Sequence, residues 1–262
     1  MSTPYRSLDD VVNGFAALEA DFRARQDRRS IFVTLYGVVS AEMRDRVASR
    51  AFEDSDWVHR YAVAFANLYR EALDHYDAGQ IQRVPKAWRL CFDAARSQSG
   101  LVLTDMLLGV NAHVNHDLPY ALHGISIEPD REKRYRDHSA VNAVLGAVTE
   151  RATVQISSLY APGIAGLDIV AGNLDEVTSA FSLEVARESA WDSALSLANA
   201  RSDHERRRAM TMIGIRAAAI SRLLLAPSLH PPLVLACRHI ERGGAWVTFV
   251  NGVGSHLKRT VE

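Results

Sequence analysis

Apolar residues recur along most of this chain at the spacing of an amphipathic α-helix. From Ser30 to Ala51 they fall three or four positions apart, at Ile31, Phe32, Leu35, Tyr36, Val39, Met43 and Val47. This spacing places them on one face of a helix with 3.6 residues per turn. Alternating β-branched runs joined by hairpin turns are missing from the sequence. The pattern therefore predicts an all-α fold.

Residues that begin or end helices divide the rest of the chain. Asp54 and Asp56 are suited to cap a helix that continues through Tyr76, and Gly79 is placed to end it. Pro85 suits the first turn of a short helix through Phe92. Further helices are predicted from Asp137 or Ser139 to about Tyr160, and at Ser179–Ala200, Asp203–Ala226 and Pro231–Arg242. With no internal repeat or linker, residues 1–262 are predicted to form a single multi-helix globular domain with an irregular tail from about Gly243.

The composition favours an ordinary globular protein of the cytoplasm. Of the 262 residues, 48% are apolar and 23% are charged, and the formal net charge is −1. Near-neutrality argues against a nucleic-acid partner, whose binding surface usually shows a basic excess. We see no signal-peptide pattern and no apolar stretch of membrane-spanning length. Cys91 and Cys237 give neither a disulfide framework nor zinc-ligand spacing. The oligomeric state is left open.

The segment Leu101–Ile127 is unusual because it combines apolar residues with short polar ones. Its only charged side chains are Asp105 and Asp117, and it contains no Lys, Arg or Glu. Its other polar residues include His113, His116, His123, Asn111 and Asn115. Such groups inside an apolar segment indicate a buried polar line, where ligands and chemistry tend to lie. The alternative is a hydrogen-bonded core helix that binds no ligand.

His113 and Asp117 are the centre of this predicted line. They are four residues apart, so on a helix their side chains lie adjacent. An imidazole and a carboxylate in this position can share a metal ion. Equally, Asp117 can orient His113 as a general base. Pro119 is expected to kink this central helix, and Gly109 to leave room for a ligand or a neighbouring helix.

Several residues outside this segment are further candidates. His138 precedes a predicted helix and can supply a third metal ligand or a second proton carrier, although a structural role is the more common one. Arg187 and Trp191 are one turn apart and can stack, which leaves the guanidinium available to a carboxylate or phosphate. Asn67 and Tyr69 lie on an otherwise apolar helix, as core hydrogen-bonding groups or as a pocket wall.

Other motifs carry less weight. Asn142, Gly146 and Glu150 recur every fourth position, as in the magnesium motif of class I terpene cyclases, but the acidic partner motif is misplaced. The match is therefore treated as chance. There is no phosphate-binding glycine loop, no Gly-x-Ser-x-Gly elbow and no paired Glu-x-x-His motif. These absences argue against nucleotide hydrolases, ordinary esterases and ferritin-like oxygenases.

Five motifs occur in the order FANLY, VPKAWRLCFDAA, LLGVNAHVNHDLPYAL, RYRDHSAVN and SLEVARESAW. From about Arg29 to Ile240 the chain thereby resembles a family catalogued as domain of unknown function 5995, with its NAHxNxDLP signature. The matching positions are Asp105, Gly109, Asn111, His113, Asn115, Asp117, His138, Asn142, Arg187 and Trp191. The position of His116 varies in that pattern, so His116 is not taken as a chemical group. The resemblance implies a helical fold and no particular activity. More remotely, His113-x-x-x-Asp117 before a proline is similar to a motif of all-α zinc phospholipases.

The first hypothesis is an enzyme that acts on a small, largely apolar molecule, for example in specialised metabolism. The expected catalytic residues are His113, Asp117, Asn115 and His138. The expected substrate-binding residues are Asn111, Asp105, Asn142, Arg187, Trp191, Tyr69 and Asn67. A divalent metal ion, if one is bound, would be held by His113, Asp117 and His138. Hydrolysis, isomerisation or cyclisation, and oxygenation all stay open. The alternative is a non-catalytic ligand-binding or interaction module with a structural polar core.

Overall fold

The computed structural model describes residues 2–98, 100–162, 182–226 and 237–242, and these ranges contain helices but no strand. The prediction of an all-α fold is thereby confirmed. The helices of seven or more residues are α1 (Leu8–Ala24), α2 (Ser30–Ala48), α3 (Ser55–Asp77), α4 (Lys86–Ser97), α5 (Val102–Asn111), α6 (Leu118–Gly124), α7 (Arg131–Tyr160), α8 (Leu183–Ala198) and α9 (Asp203–Leu225). A 3-10 turn at Ile81–Arg83 precedes α4, and a π-helical segment at Ala112–Asp117 joins α5 to α6.

Of the residues predicted to begin and end α3, Asp54 and Gly79 act as expected, whereas Asp56 pairs with Arg50. The side chain of Asp54 accepts a hydrogen bond from the backbone N–H of Trp57 at 2.9 Å. Gly79, just beyond the end of α3, has a φ of +70°, a conformation that glycine adopts without steric cost. These local signals fix the length of α3, and therefore the positions at which its buried aromatic residues face the interior.

Two helix starts differ from the sequence expectations. The helix α1 was not predicted, although Ser7 and Asp10 form a capping box and Leu8, Val11 and Phe15 are buried on one face. The helix α7 begins at Arg131, earlier than the predicted Asp137. Its first turns are held by ion pairs rather than by an apolar stripe, since Arg131 pairs with Glu128 and Arg136 with Glu53. A hydrophobic pattern gives no signal for such a start.

Part of the predicted C-terminal structure lies outside the described residues. This applies to the tail from Gly243 and to residues 231–236 of the predicted helix Pro231–Arg242. Residues 237–241 are helical. Within them, the carboxylate of Glu241 accepts a hydrogen bond from the backbone N–H of Val102 at 3.0 Å and so caps the start of α5.

The π-helical segment lies at the centre of the helix packing. It contacts α3, α4, α5, α6, α8 and α9. One buried apolar cluster on α1, α3 and α4 includes Phe15, Tyr69 and Trp88. A second cluster on α3, α6 and α8 includes Trp57 and Leu122. Polar residues of the π segment are therefore held in the interior from several sides. Among the described residues, no helix combines the length and hydropathy needed to cross a membrane.

Candidate functional site

The π-helical segment holds the pair that the sequence singled out. His113 and Asp117 are both 2% exposed, and His113 Nδ1 lies 3.0 Å from Asp117 Oδ2. The predicted adjacency of these side chains is confirmed. At the end of the segment the backbone N–H of Leu118 bonds to the His113 carbonyl, five residues back, as in a π-helix. Pro119 follows directly in α6, and a kink there stays a prediction.

Asp117 accepts three hydrogen bonds in the protein interior. Besides His113, Trp88 donates its indole N–H to Oδ2 at 2.7 Å, and His116 donates from Nδ1 to Oδ1 at 2.8 Å. Burial alone would raise the pKa of Asp117, but the hydrogen bonds from His113 and His116 bring it below its ordinary value. Asp117 is therefore a carboxylate at neutral pH, and it acts only as an acceptor.

The charge of Asp117 determines which nitrogen of His113 carries the proton. Because an ionised carboxylate cannot donate, Nδ1 of His113 must be the protonated nitrogen. Burial lowers the pKa of His113, and the hydrogen bond with Asp117 opposes this shift only in part. The ring is therefore neutral, and its Nε2 carries a lone pair. This buried Nε2 has no hydrogen-bond partner among the described residues.

Aromatic side chains fix the plane of the His113 ring. The ring of Phe65 stacks on it with centroids 3.4 Å apart and planes 7° apart. Tyr36 approaches edge-on at 4.5 Å and Phe32 at 5.6 Å. Together with the hydrogen bond to Asp117, these contacts determine the direction in which the free Nε2 faces.

An apolar cavity of about 180 Å³ lies beside His113. Its wall is formed by α2, α3, α5, the π segment, α7 and α8, and it includes Phe32, Val110 and Val148. Its polar side chains are those of His113, Arg187, Tyr36, Tyr61, Thr149 and Thr153. Ligand sites typically combine such an apolar wall with a few polar groups. Of the predicted site residues, only His113 and Arg187 line this cavity.

His138 holds Arg187 rather than acting as a free base. Arg187 donates from Nη2 to the His138 carbonyl at 2.5 Å and contacts His138 Nδ1 at 3.3 Å. His138 Nε2 in turn lies 3.2 Å from the Arg187 carbonyl. Burial, together with the Arg187 charge, lowers the pKa of His138 to about 2. Both ring nitrogens are thus occupied in a neutral ring, which is the geometry of a positioning residue.

Asn142 completes the support of Arg187. Its side-chain oxygen accepts a hydrogen bond from Arg187 Nε at 2.7 Å. Trp191 packs on the rings of His138 and Tyr135, both at 5.3 Å, and among the described residues it has no cation–π contact with Arg187. The expected stack of Arg187 on Trp191 is therefore replaced by hydrogen bonds. Glu150, the last residue of the chance terpene cyclase pattern, is exposed.

Of the two asparagines of the central segment, Asn111 bonds to α9 and Asn115 bonds to Asn111. Asn111 donates to the Ala217 carbonyl and to Ser221 Oγ, each at 2.9 Å, and accepts from Asn115 at 3.1 Å. Neither asparagine lines the cavity. Because Asn111 joins α5 to α9 and Asn115 supports Asn111, this geometry favours a structural role over the predicted orientation of a substrate.

Asp105 is also separate from the pair. It is buried near the start of α5, and Arg28 donates to its Oδ2 at 2.5 Å. Burial raises the pKa of Asp105, while the Arg28 charge opposes the shift. Asp105 lies outside the cavity wall. The single polar line expected from the sequence therefore divides into three local networks, around Asp105, Asn111 and Asp117.

Asn67 and Tyr69 lie away from the cavity wall. Asn67 accepts from the backbone N–H of Tyr5 at 2.8 Å and donates to the Tyr5 carbonyl at 3.0 Å. Tyr69 is fully buried among aromatic rings such as Phe15 and Trp88. Asn67 therefore fits the core hydrogen-bonding role. The Tyr69 hydroxyl has no hydrogen-bond partner among the described residues, so Tyr69 belongs to the core by packing alone.

The described residues do not bring the predicted metal ligands together. Within the described ranges, no group of three or more His, Cys, Asp or Glu side chains is close enough to hold a metal ion. His138 binds Arg187, and Asp117 Oδ2 already accepts from His113 and Trp88. The geometry therefore favours the acid/base interpretation of the His113–Asp117 pair over the metal-binding one.

Some residues of the site were not predicted to belong to it, although they lie in motifs or apolar stripes of the sequence. Trp88 lies in the VPKAWRLCFDAA motif, but nothing in its spacing indicated a hydrogen bond to Asp117. Tyr36, Tyr61 and Phe65 belong to apolar stripes and were taken as core. His116 was set aside, yet it contacts Asp117 while its side chain stays 15% exposed.

The fold and the site together define an all-α protein with a histidine–carboxylate pair beside a small apolar cavity. The chain belongs to the family described as a family of unknown function (DUF5995), whose model matches residues 8–227. The family suggested by the sequence motifs is thereby confirmed, and its match includes α1. A search of curated proteins and a search of solved structures each gave no match.

Proposed function

We propose that this protein binds a small, largely apolar molecule in the cavity and that His113 acts on it as a general base. One observation carries the proposal: the unpartnered, buried Nε2 of a neutral His113 on the cavity wall. A buried polar atom without a partner is costly, so a ligand that donates a hydrogen bond to Nε2 is favoured. Asp117 would hold the tautomer and stabilise the imidazolium that forms during proton transfer.

A non-catalytic ligand-binding module is the second candidate. It is favoured because the described residues of the cavity wall include no Asp, Glu, Ser, Cys or Lys. Under this proposal the His113–Asp117 pair gives specificity for a hydroxyl or N–H group without chemistry. In either case we propose a cytoplasmic location, consistent with Cys91 and Cys237 being free thiols, and a role in small-molecule metabolism or sensing.

The binding proposal is tested with phenol and toluene, two probes of similar size of which only phenol donates a hydrogen bond. We expect calorimetry to show phenol binding about tenfold more tightly than toluene, as one net hydrogen bond predicts. His113→Phe keeps an aromatic ring beside Phe65 and should abolish this preference. His75→Phe removes another buried histidine, outside the cavity wall, and should leave it unchanged. Val110→Phe fills part of the cavity and should lower the affinity for both probes. Equal affinities in the unchanged protein would contradict the role of Nε2.

The catalytic proposal is tested by hydrogen exchange into acetophenone, whose methyl protons a base can remove. In heavy water the protein should accelerate deuterium incorporation into the methyl group, and His113→Phe should abolish the acceleration. Mass spectrometry of the recovered ketone measures the exchange. Binding of acetophenone without accelerated exchange would favour the non-catalytic module.

A further inference from the structure

Arg187 is a buried cation on the wall of the cavity. The residue is 3% exposed, and its hydrogen-bond partners Asn142 and the His138 carbonyl are uncharged. Among the described residues, no carboxylate forms an ion pair with Arg187. A charge in the protein interior is unfavourable unless an opposite charge compensates it. An anion beside Arg187 would therefore be stabilised by an interaction that the described protein groups do not supply.

The supporting contacts leave part of the guanidinium for such an anion. Asn142 occupies Nε and His138 occupies Nη2, and both partners fix the plane of the group. A guanidinium has five N–H donors. Nη2 also contacts His138 Nδ1, and the Tyr61 hydroxyl accepts a further hydrogen bond from Arg187, so one N–H remains after these contacts. Tyr61 lies next to Arg187 and also lines the cavity. Burial raises the pKa of Tyr61 although Arg187 opposes the shift, so the hydroxyl stays protonated and can donate.

Among the other polar side chains of the cavity wall, His113 repels an anion. His113 presents a lone pair at Nε2, and a carboxylate oxygen placed there would meet an acceptor rather than a donor. A bound carboxylate is therefore expected at Arg187 and Tyr61, with its apolar body against the aliphatic and aromatic wall. Arg187 and Tyr61 can each donate to one oxygen of a carboxylate, so this pair of side chains matches a carboxylate better than a phosphate, which has more oxygens to satisfy.

The volume of the cavity limits the size of the apolar body. A cavity of about 150 Å³ lined by apolar side chains is known to hold one benzene molecule. The present cavity, at about 180 Å³, is slightly larger. We infer that the molecule bound is a monocarboxylic acid with an apolar body of about one ring, whose carboxylate pairs with Arg187 and Tyr61. This inference rests on the proposed function, since it names the class of ligand for the same cavity.

The test compares benzoate, benzamide and toluene as calorimetric probes at neutral pH. In the unchanged protein, benzoate should bind at least about tenfold more tightly than its neutral isostere benzamide, as expected for a charge-assisted pair. Arg187→Met should abolish this preference, and Tyr61→Phe should reduce it. Arg216→Met removes a half-buried arginine that bonds Ser193 outside this cavity, and it should leave the preference intact.

The probes separate failure of this inference from failure of the proposed function. Equal binding of benzoate and benzamide, with toluene also bound, would overturn the carboxylate inference and leave the apolar cavity supported. Absence of binding by all three probes would overturn both. If Arg187→Met does not fold, Tyr61→Phe is the deciding variant, and a reduced benzoate preference in it would support the site. Arg187→Lys keeps the charge and should retain the preference, and its loss there would contradict a charge-based site. An unchanged preference in Tyr61→Phe would remove Tyr61 from it.

Discussion

Asp117 has a structural role and, in the proposed function, a chemical role as well. Its two oxygens accept from Trp88, His113 and His116, which come from two helical elements. The same interactions that hold these elements together also set the tautomer of His113. A substitution at this position should therefore change both the stability of the fold and the tautomer of His113.

Asp117→Asn should destabilise the protein and disturb His113. The amide removes the charge and places a donor against N–H groups, leaving buried donors unsatisfied. We expect the free energy of unfolding to fall by about 3 kcal/mol. Urea denaturation measures this loss, and nitrogen NMR of the histidine rings reports whether Nδ1 of His113 stays protonated. Asp45→Asn, at a largely exposed position, is the control and should leave stability nearly unchanged. A stable Asp117→Asn protein with an unaltered His113 spectrum would contradict this account.

The helix α5 approaches α2 closely at Gly109. A Cβ atom placed there would lie 2.5 Å from Cδ2 of Phe32, a distance at which one side must move. The expected close approach of a neighbouring helix is thus the one made by α2. Since Phe32 lines the cavity and contacts His113, the absence of a side chain at Gly109 helps to place the wall of the site.

Gly109→Ala should therefore destabilise the protein despite the better helix propensity of alanine. Displacing Phe32 is expected to cost about 1–3 kcal/mol, as overpacking does in other cores. Gly146→Ala in α7 is the matched control, because nothing lies within 4 Å of its added Cβ. That variant should be neutral or stabilising by up to about 1 kcal/mol. Thermal or urea denaturation of both variants measures the change in the free energy of unfolding. Equal changes in the two variants would contradict the packing argument.

The helices that could be predicted from the sequence are those with a clear apolar stripe or clear capping residues. The apolar stripe of α2 and the stripe and caps of α3 were sufficient for those helices. The spacing of Leu8, Val11 and Phe15 after Ser7 would have given α1 as well. The π-helical segment could not be predicted, because its shifted hydrogen bonds depend on the six helices packed around it. The adjacency of His113 and Asp117 followed from spacing alone.

The rest of the site could not be derived from spacing, since its partners are distant in the chain. The contact of Trp88 with Asp117 spans 29 residues, and that of His138 with Arg187 spans 49. A histidine near a helix start gave no indication that Arg187 would occupy both of its nitrogens. The cavity, likewise, exists only after five helices have assembled around the π segment.

At the scale of the whole molecule, two neutral buried histidines should make the fold sensitive to acid. The pKa of His138 is lowered to about 2 and that of His113 is also lowered, mainly by burial. In the unfolded chain both titrate near pH 6.5, as ordinary histidines do. Below that pH the unfolded state binds protons that the folded state does not, so stability falls as the pH decreases.

Each such histidine should contribute up to about 1.4 kcal/mol per pH unit between pH 6.5 and its folded pKa. His138→Gln keeps an acceptor and a donor but does not titrate. We expect its free energy of unfolding to fall less steeply than that of the unchanged protein between pH 6.5 and 5, where few carboxylates titrate. Urea denaturation across this range measures the slopes. Parallel curves would show that His138 is not a buried neutral histidine.

The wall of the cavity forms only when the chain folds, and this provides a way to search for a ligand. Because its residues come from distant segments, from Phe32 to Arg187, the proposed binding surface is absent from the unfolded chain. Binding and folding are then thermodynamically linked: a ligand present at a hundredfold excess over its dissociation constant raises the free energy of unfolding by about 2.7 kcal/mol. The melting temperature of this protein is therefore itself a detector, and it can rank candidate metabolites before any reaction is known.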